Sequence, residues 1–258
     1  MASKRRISPA ERRHMDYLRK KGLKVGHLYE TRLRKLRGAE VRRLLTLCQD
    51  FPRESWEDVI SLHLDESYLH KWYKGLYVDA GLPMAKSTAR DMSRGKSTPD
   101  VGYWEDELIR YAEEQAGEKI VIVQGTLRDE LVTLTRNIMQ ENMDLPIEKL
   151  TKKLMQDYSH LALWQCRRIA QTETMIGLAG AGDIAARSLD IPFVKQWCTS
   201  GLGNVRETHE AMDGLTADMD EPFVLPDGDL MQFPHDASLG ASAGEIINCA
   251  CGVLRIPK

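Results

Sequence analysis

A change of texture at Asp190-Ile191-Pro192 constrains the fold of this chain more than any other feature. Before it, apolar residues recur at helical spacing over long stretches such as Leu127–Met143, a pattern typical of amphipathic helices. After it, Gly and Pro become frequent and the apolar runs shorten, which is typical of short strands joined by turns. The sequence therefore predicts an α+β protein: a predominantly helical N-terminal region, followed by a small α+β C-terminal domain with short strands.

Start and stop signals divide the N-terminal part into helices. Ser8 and Glu11 form a capping box, and Pro9 occupies the first helical position, where its missing N–H carries no cost. Gly22 predicts the end of this helix, and a second helix is expected over residues 27–48.

A polar segment indicates the domain boundary. Lys86–Asp100 is rich in Ser, Thr, Gly and Pro and predicts a linker or mobile loop. We therefore expect a basic helical region over residues 1–95 and a second region over 96–258. The second region consists of a helical stalk and a compact α+β part at about 190–258.

A glycine-rich segment imitates a nucleotide-binding motif. Residues 180–185 fit the pattern G-x-G-x-x-A, which binds a dinucleotide only where it follows a strand and opens a helix. Here the preceding residues predict a long helix over Leu161–Ala186, separate from an earlier one over Ile147–Tyr158. We interpret the small residues at 177–182 as a place where another backbone packs closely.

Charge is distributed unevenly along the chain. Residues 1–45 hold fifteen Lys and Arg against four Asp and Glu, whereas the whole chain of 258 residues has a net charge of −2. A basic arm on an acidic body indicates an anionic partner, and double-stranded DNA is the candidate; a solvated face that keeps the protein soluble is the alternative. The contact would be non-specific, through the phosphate backbone, and involves these basic residues: Arg32, Arg34, Lys35, Arg37, Arg42 and Arg43.

Cysteine use and hydropathy argue against two classes of protein, disulfide-stabilised proteins and membrane-spanning proteins. The five cysteines are an odd number and widely scattered, which argues against a disulfide framework. The sequence lacks an apolar run of about 20 residues, so we expect no membrane span. The basic N-terminus lacks the apolar segment of a secretion signal, which predicts a reducing cytoplasm, at least initially.

An ordered series of short elements fills roughly residues 160–258. It comprises Ile169-Ala170-x-Thr172-Glu173, Lys195-x-Trp197, Val205-Arg206-x-x-His209, Asp213-Gly214, Glu221-Pro222-Phe223, Pro234 with Asp236, and Ile247-Asn248-Cys249-x-Cys251. In this order and spacing the series resembles the phage Mu F-like minor head proteins, a family of virion morphogenesis proteins. Two positions depart from the pattern: Ala250 stands where the family often has Arg, and His235 where it often has Gly.

The resemblance implies a structural role in phage assembly. Proteins of this kind are minor capsid components that associate with the portal protein at the portal vertex, with the major capsid or scaffold protein as a further partner. The implied location is the capsid interior of the virion, after assembly in the host cytoplasm. Neither catalysis nor a cofactor is expected on this interpretation.

The C-terminal His, Asp and Cys residues leave two chemical alternatives open. Cys249, Cys251, His209 and His235 are suitable zinc ligands, with Cys198 or Asp213 in reserve. A zinc- or thiol-dependent hydrolase is the other alternative, with a cysteine as nucleophile, His209 as base and Asp213 orienting it. The Cys-x-Cys spacing is unusual for zinc.

Close packing is the interpretation that we prefer for the same residues. Trp197 is then a core anchor near Phe193 and Phe223, and Asp213-Gly214 forms a turn in which Gly takes positive φ. Asn248 is expected to bond neighbouring backbone groups. Arg206 and His209, three positions apart on one helical face, are expected to pair with Glu173 or the acidic loop.

Overall fold

The computed structural model describes residues 4–93, 97–141 and 145–258. The helices are α1 Pro9–Cys48, α2 Trp56–His63 (after a 3-10 turn at Arg53–Ser55), α3 Ser67–Ser93, α4 Val101–Glu141, α5 Ile147–Arg187, α6 Glu207–Met212 and α7 Ala243–Ile246. The strands are β1 Phe193–Cys198, β2 Thr216–Asp218, β3 Phe223–Val224, β4 Leu230–Met231 and β5 Gly252–Pro257. This confirms the predicted α+β class, with helices followed by short antiparallel strands.

The predicted capping box begins α1. The Ser8 N–H donates to Glu11 Oε2 at 2.7 Å, and the Glu11 N–H donates to Ser8 Oγ at 3.2 Å. The predicted helix end at Gly22 is wrong, because α1 continues to Cys48. Gly22 is buried, and a Cβ there would lie 2.5 Å from Leu178 Cδ1, so this glycine allows close packing rather than a turn.

Two further boundaries differ from the prediction. The polar segment Lys86–Asp100 is helical as far as Ser93, and residues 94–96 lie outside the described part. The two helices predicted over residues 147–186 form one continuous helix, α5. The helix predicted to reach Met143 is described as far as Glu141, and its last residues lie outside the described part.

The chain divides into two compact units. Unit 1 comprises residues 1–27, 74–112 and 170–258, and unit 2 comprises residues 28–73 and 113–169. The domain boundary expected near residue 95 concerns independently folding domains, which this division into units does not test, so it stays a prediction.

Each unit has its own apolar core. The helical core of unit 1 contains Leu18, Met84, Ala85, Ala89, Trp104, Leu108, Met175, Leu178, Ala181 and Ala185. The core of unit 2 contains Val41, Leu44, Leu45, Cys48, Trp56, Val59, Ile60, Leu127, Leu131, Ile138, Leu150, Leu154, Tyr158 and Ala162. Many of these residues are fully buried, so they contribute most of the hydrophobic stabilisation.

Short antiparallel strands complete unit 1. The strand order in the larger sheet is β2-β1-β5, and β3 pairs with β4. In the β1–β5 register Cys198 lies opposite Gly252. The sheet therefore brings the residues just before β5 to the end of β1, where the candidate site forms.

The glycine-rich segment lies inside α5, as the sequence predicts, so no strand precedes it. A Cβ at Gly180 would lie 2.3 Å from the Tyr111 ring, and one at Gly182 would lie 2.3 Å from Arg255 Nη1. The small residues therefore accommodate neighbouring side chains and, at Gly177, also the backbone that we expected, since a Cβ there would lie 3.5 Å from Tyr77 Cα. None of the helices in the described ranges is long and apolar enough to cross a membrane.

Candidate functional site

One histidine and two cysteines meet in the interior of unit 1. His209 Nδ1 lies 3.4 Å from Cys249 Sγ and 3.5 Å from Cys251 Sγ. The three candidate ligand atoms all lie within 4.8 Å of one another, and the three residues are 1%, 5% and 2% exposed, respectively. We call these three residues the His/Cys cluster.

Local structure explains how the cysteines reach one histidine. Both precede β5 instead of lying within it, so the same-face geometry of a strand is not what aligns them. Asn248 adopts φ 58°, a left-handed conformation that Asn tolerates better than most residues. This turn redirects the chain after α7. The Asn248 N–H donates to Thr172 Oγ1 at 3.4 Å, and the predicted role of its side-chain amide stays a prediction.

A buried carboxylate orients the histidine. His209 Nε2 lies 2.7 Å from Glu245 Oε2, although the N–H points away from the direction of an ideal hydrogen bond. The ring therefore turns Nε2 toward the carboxylate and Nδ1 toward the two sulfurs. Thr208 Oγ1 donates to the same Glu245 oxygen at 2.9 Å, and the Trp197 ring packs edge-on against the imidazole at 5.1 Å.

The two thiols differ in acidity because they are hydrogen-bonded to each other. That bond lowers the pKa of Cys249 and, together with burial, raises the pKa of Cys251. The Cys251 N–H also donates to Cys249 Sγ at 3.4 Å. The backbone therefore stabilises negative charge on the Cys249 sulfur.

Two residues proposed as ligands or catalytic groups lie outside the cluster. His235 Nε2 donates to the Cys251 carbonyl at 3.0 Å, and its complete burial lowers its pKa. Asp213 does not orient His209; it accepts bonds from the Thr199 N–H and Oγ1, both at 2.9 Å, and pairs with Arg12. Burial opposes ionisation of Asp213, but these hydrogen bonds outweigh it and lower its pKa.

Cys198, the other residue held in reserve, is buried and bonded to a local carbonyl. Its Sγ donates to the Thr199 oxygen at 3.7 Å. Burial raises the pKa of Cys198 to about 11, so its thiol is protonated near neutral pH. It is not one of the three grouped ligands.

Arg206 holds the cysteine-bearing segment from α6. It is the N-cap residue of α6, and its Nη2 donates to the Ile247 carbonyl. Glu173, one of the two partners expected for Arg206 and His209, is buried and accepts a 2.7 Å bond from Tyr77 Oη, whereas His209 pairs with Glu245.

The remaining residues of the ordered series support the sheet. Lys195 is fully buried, donates to Gln232 Oε1 at 2.6 Å and lies over the Phe223 ring at 5.6 Å. Burial lowers the pKa of Lys195 to about 8. Pro234 is buried next to Asp236, whose Oδ2 accepts the Gln232 N–H at 2.9 Å.

Packing predictions for Trp197 and Gly214 agree with the structure. Trp197 is fully buried and its ring lies 5.4 Å from that of Phe223. Phe193 is also fully buried and packs against Met92 and Ala186. Gly214 has φ 82°, the positive value expected for the turn.

The predicted DNA-binding face is divided by burial. Arg32, Lys35 and Arg42 are exposed on α1. Arg37 is 1% exposed; its Nη1 donates to Gln165 Oε1 at 3.2 Å and its Nη2 to the Val123 carbonyl at 3.3 Å. Including Arg37 in a phosphate-contacting face is therefore wrong, because its charge is directed into unit 2.

Acidic neighbours partly neutralise the positive charge of two other arginines on α1. Arg43 is exposed but pairs with Glu40 at 2.7 Å, and Arg34 lies 4.0 Å from Glu30. The exposed basic face of unit 2 on α1 thus depends mainly on Arg32, Lys35 and Arg42.

Sequence reasoning did not single out Glu245 or Arg255. Glu245 lies four residues before Cys249, in an otherwise uncharged stretch from Ser238 to Leu254. Its position as the single charged residue of this stretch is the sequence feature that could have identified it. A single charge among apolar residues needs a partner if it is buried. Arg255 gave no such signal, because strand residues near a terminus are often basic and exposed.

Comparison of the chain with protein-family models, with curated proteins and with solved structures finds no match. The fold and the site alone therefore describe it: an α+β protein with a buried His/Cys cluster beside the end of a small antiparallel sheet.

Proposed function

We propose that this chain is a minor head protein of a tailed phage or prophage, which associates with the portal protein at the portal vertex inside the capsid. One observation carries the proposal: elements of the ordered series that are far apart in sequence contact the same segment. Thr172 in α5 binds the backbone of Asn248, and Arg206 at the start of α6 binds the carbonyl of Ile247. A series of residues that jointly shape one turn is a conformational signature, as the resemblance to the Mu F-like family implies.

An exposed apolar pair offers a surface for a protein partner. Val224 and Leu230 lie directly opposite each other in the β3–β4 pair and are 61% and 37% exposed. Exposed apolar side chains that adjoin are typical of contact surfaces. We therefore assign the portal contact to this hairpin.

Co-expression tests this assignment. The tagged chain is produced with the portal and scaffold proteins of the same phage or prophage, and portal co-purification and incorporation into capsid precursors are measured. The double variant Val224→Asp, Leu230→Asp should lose portal binding. Leu62→Asp, a matched control at a residue that is 80% exposed in unit 2, should retain it. A parent chain that neither binds the portal nor enters the precursors would refute the assembly role.

DNA contact is a second part of the proposal, supported by the exposed Arg32, Lys35 and Arg42. Removing residues 1–45 is a poor test, because that segment supplies buried core residues. Reversing the charges of Lys35 and Arg42 to Glu should instead weaken binding to duplexes of any sequence and flatten its salt dependence. Lys71→Glu with Lys149→Glu, both exposed and outside α1, provide the control. Equal loss in both double variants would count against a defined basic face.

A thiol-dependent hydrolase is the second candidate function, favoured by one observation. Cys249, His209 and Glu245 follow one another at 3.4 Å and 2.7 Å, the sequence of nucleophile, base and orienting carboxylate. Cys249 is only 5% exposed, so a substrate would reach it with difficulty. Rapid alkylation of Cys249 by iodoacetamide at neutral pH, lost in His209→Gln, would favour this function over the assembly role.

A further inference from the structure

We propose that His209, Cys249 and Cys251 form a binding site for a soft divalent metal ion, zinc in the first instance. The proposal stands independently of the assembly role, since it rests only on the geometry of the His/Cys cluster. Imidazole nitrogen and thiolate sulfur are the ligand types that zinc prefers.

The interatomic distances fit tetrahedral coordination. Zn–S bonds of about 2.3 Å and a Zn–N bond of about 2.05 Å, at a tetrahedral angle, place sulfur and nitrogen about 3.6 Å apart. The two observed sulfur–nitrogen distances are 3.4 Å and 3.5 Å. The two sulfur–nitrogen separations are therefore close to those expected around a bound zinc ion.

The orientation of the three groups suits a metal site. Nε2 of His209 faces Glu245, so Nδ1 is the ring nitrogen that faces both sulfurs. A metal ion would accept a lone pair from Nδ1 and from both sulfurs at once. Each thiol that binds loses its proton to solvent.

The surroundings support the ligands. Glu245 occupies the place of the carboxylate that commonly holds a metal-bound histidine in its ligating tautomer. The Cys251 N–H donates to Cys249 Sγ, and the Arg206 guanidinium helps to stabilise negative charge on that sulfur.

The fourth coordination position is open to a small pocket. Among the described residues the candidate ligands number three, and a pocket with room for about one water molecule adjoins them. Ser200, Asn204 and Arg206 line it together with the cluster. We assign the fourth ligand to a water molecule or an exogenous donor that enters there.

Metal analysis of the full chain tests the site. Protein expressed in zinc-supplemented medium should carry one zinc per chain after gel filtration. Cys249→Ser and Cys251→Ser should each lose it, whereas Cys198→Ser, a buried cysteine outside the cluster, should keep it. Glu245→Gln should weaken binding by about 10- to 100-fold in competition with a chromophoric chelator. Zinc that persists in both cluster variants would overturn the assignment.

A second measurement needs no variant and so does not depend on whether the variants fold. Chelator-stripped parent protein, shown by circular dichroism to remain helical, is titrated with Co²⁺. We expect saturation at one ion, with visible bands of tetrahedral cobalt and a near-ultraviolet sulfur-to-cobalt charge-transfer band. Folded protein that shows no such band, and is zinc-free as purified, would refute the site. A visible spectrum unchanged by a small exogenous thiol would refute the open fourth position.

Discussion

Gly182 in α5 faces the buried guanidinium of Arg255, and this contact gives the clearest prediction about stability. Arg255 Nη2 donates to the Ala179 carbonyl at 2.8 Å, and its Nε lies 3.6 Å from Asp183 Oδ1. A Cβ at residue 182 would lie 2.3 Å from Arg255 Nη1 and 3.0 Å from its Cζ. The substitution Gly182→Ala therefore forces the guanidinium away from both acceptors.

Two opposing effects determine the magnitude. Breaking a buried ion pair costs about 3–5 kcal/mol because one charge remains uncompensated. Replacing a helical glycine with alanine returns about 0.5–1 kcal/mol. We therefore expect Gly182→Ala to lower the free energy of unfolding by about 2–4 kcal/mol. With a urea m-value of about 2 kcal/mol per M, the unfolding midpoint falls by about 1–2 M.

The control is a glycine-to-alanine substitution at a helical position where the added methyl group has room. Among the described residues, no heavy atom lies within 4 Å of a Cβ built at Gly117 in α4, so Gly117→Ala should stabilise the protein slightly. Urea unfolding followed by circular dichroism gives the midpoints, and amide hydrogen exchange across residues 177–187 locates the loss in α5. Stability equal to the parent in Gly182→Ala would refute the steric argument. An undiminished cost in an Arg255→Ala background would show that Arg255 is not the residue displaced.

Three further substitutions test single contacts in unit 1. Lys195→Met should be more stable than the parent at pH 7 by about 1–3 kcal/mol. The folded pKa of Lys195 is about 8 and its unfolded pKa is about 10.4, so the parent gains stability as pH rises from about 8 to about 10. The difference in stability between Lys195→Met and the parent should therefore shrink over this pH range. Parallel pH profiles of the two proteins would contradict this. Asp213→Ala removes the bonds to Thr199 and should cost about 2–3 kcal/mol at pH 7 by thermal unfolding, an effect that fades as pH falls below about 4. Tyr77→Phe removes the buried bond to Glu173 and should cost about 1.5–3 kcal/mol in the same assay; a loss below about 0.5 kcal/mol would refute a charge-assisted bond.

Features governed by neighbouring residues were predictable from the sequence. The capping box of Ser8 and Glu11 joins positions three apart, and the turn at Gly214 requires only the φ freedom of glycine. The change to short strands after Pro192 follows from local composition in the same way. These signals do not depend on contacts with distant residues, so the folded structure contains the local features that they predict.

Features governed by distant residues were not predictable. Gly22 has the local signal of a helix end, but Leu178 packs against it and α1 continues. Tertiary burial outweighs the cost of about 1 kcal/mol for one helical glycine. The role of Glu245 likewise depends on His209, which lies 36 residues earlier and meets it only after α6 and α7 have packed.

The Cys-x-Cys pair shows that the geometry of the candidate site also depends on distant residues and so could not be predicted from the spacing alone. Close-spaced zinc pairs are recognised by sequence because the backbone between them forms a standard turn. Here the left-handed Asn248 precedes the pair and His235 binds the Cys251 carbonyl, so the alignment of the sulfurs is imposed by residues outside the motif. The contacts of Thr172 and Arg206 with residues 247–248 serve the same end. A conformational signature and a metal centre are therefore compatible explanations of the ordered series, because the residues that shape this turn are also those that would hold the ligands in place.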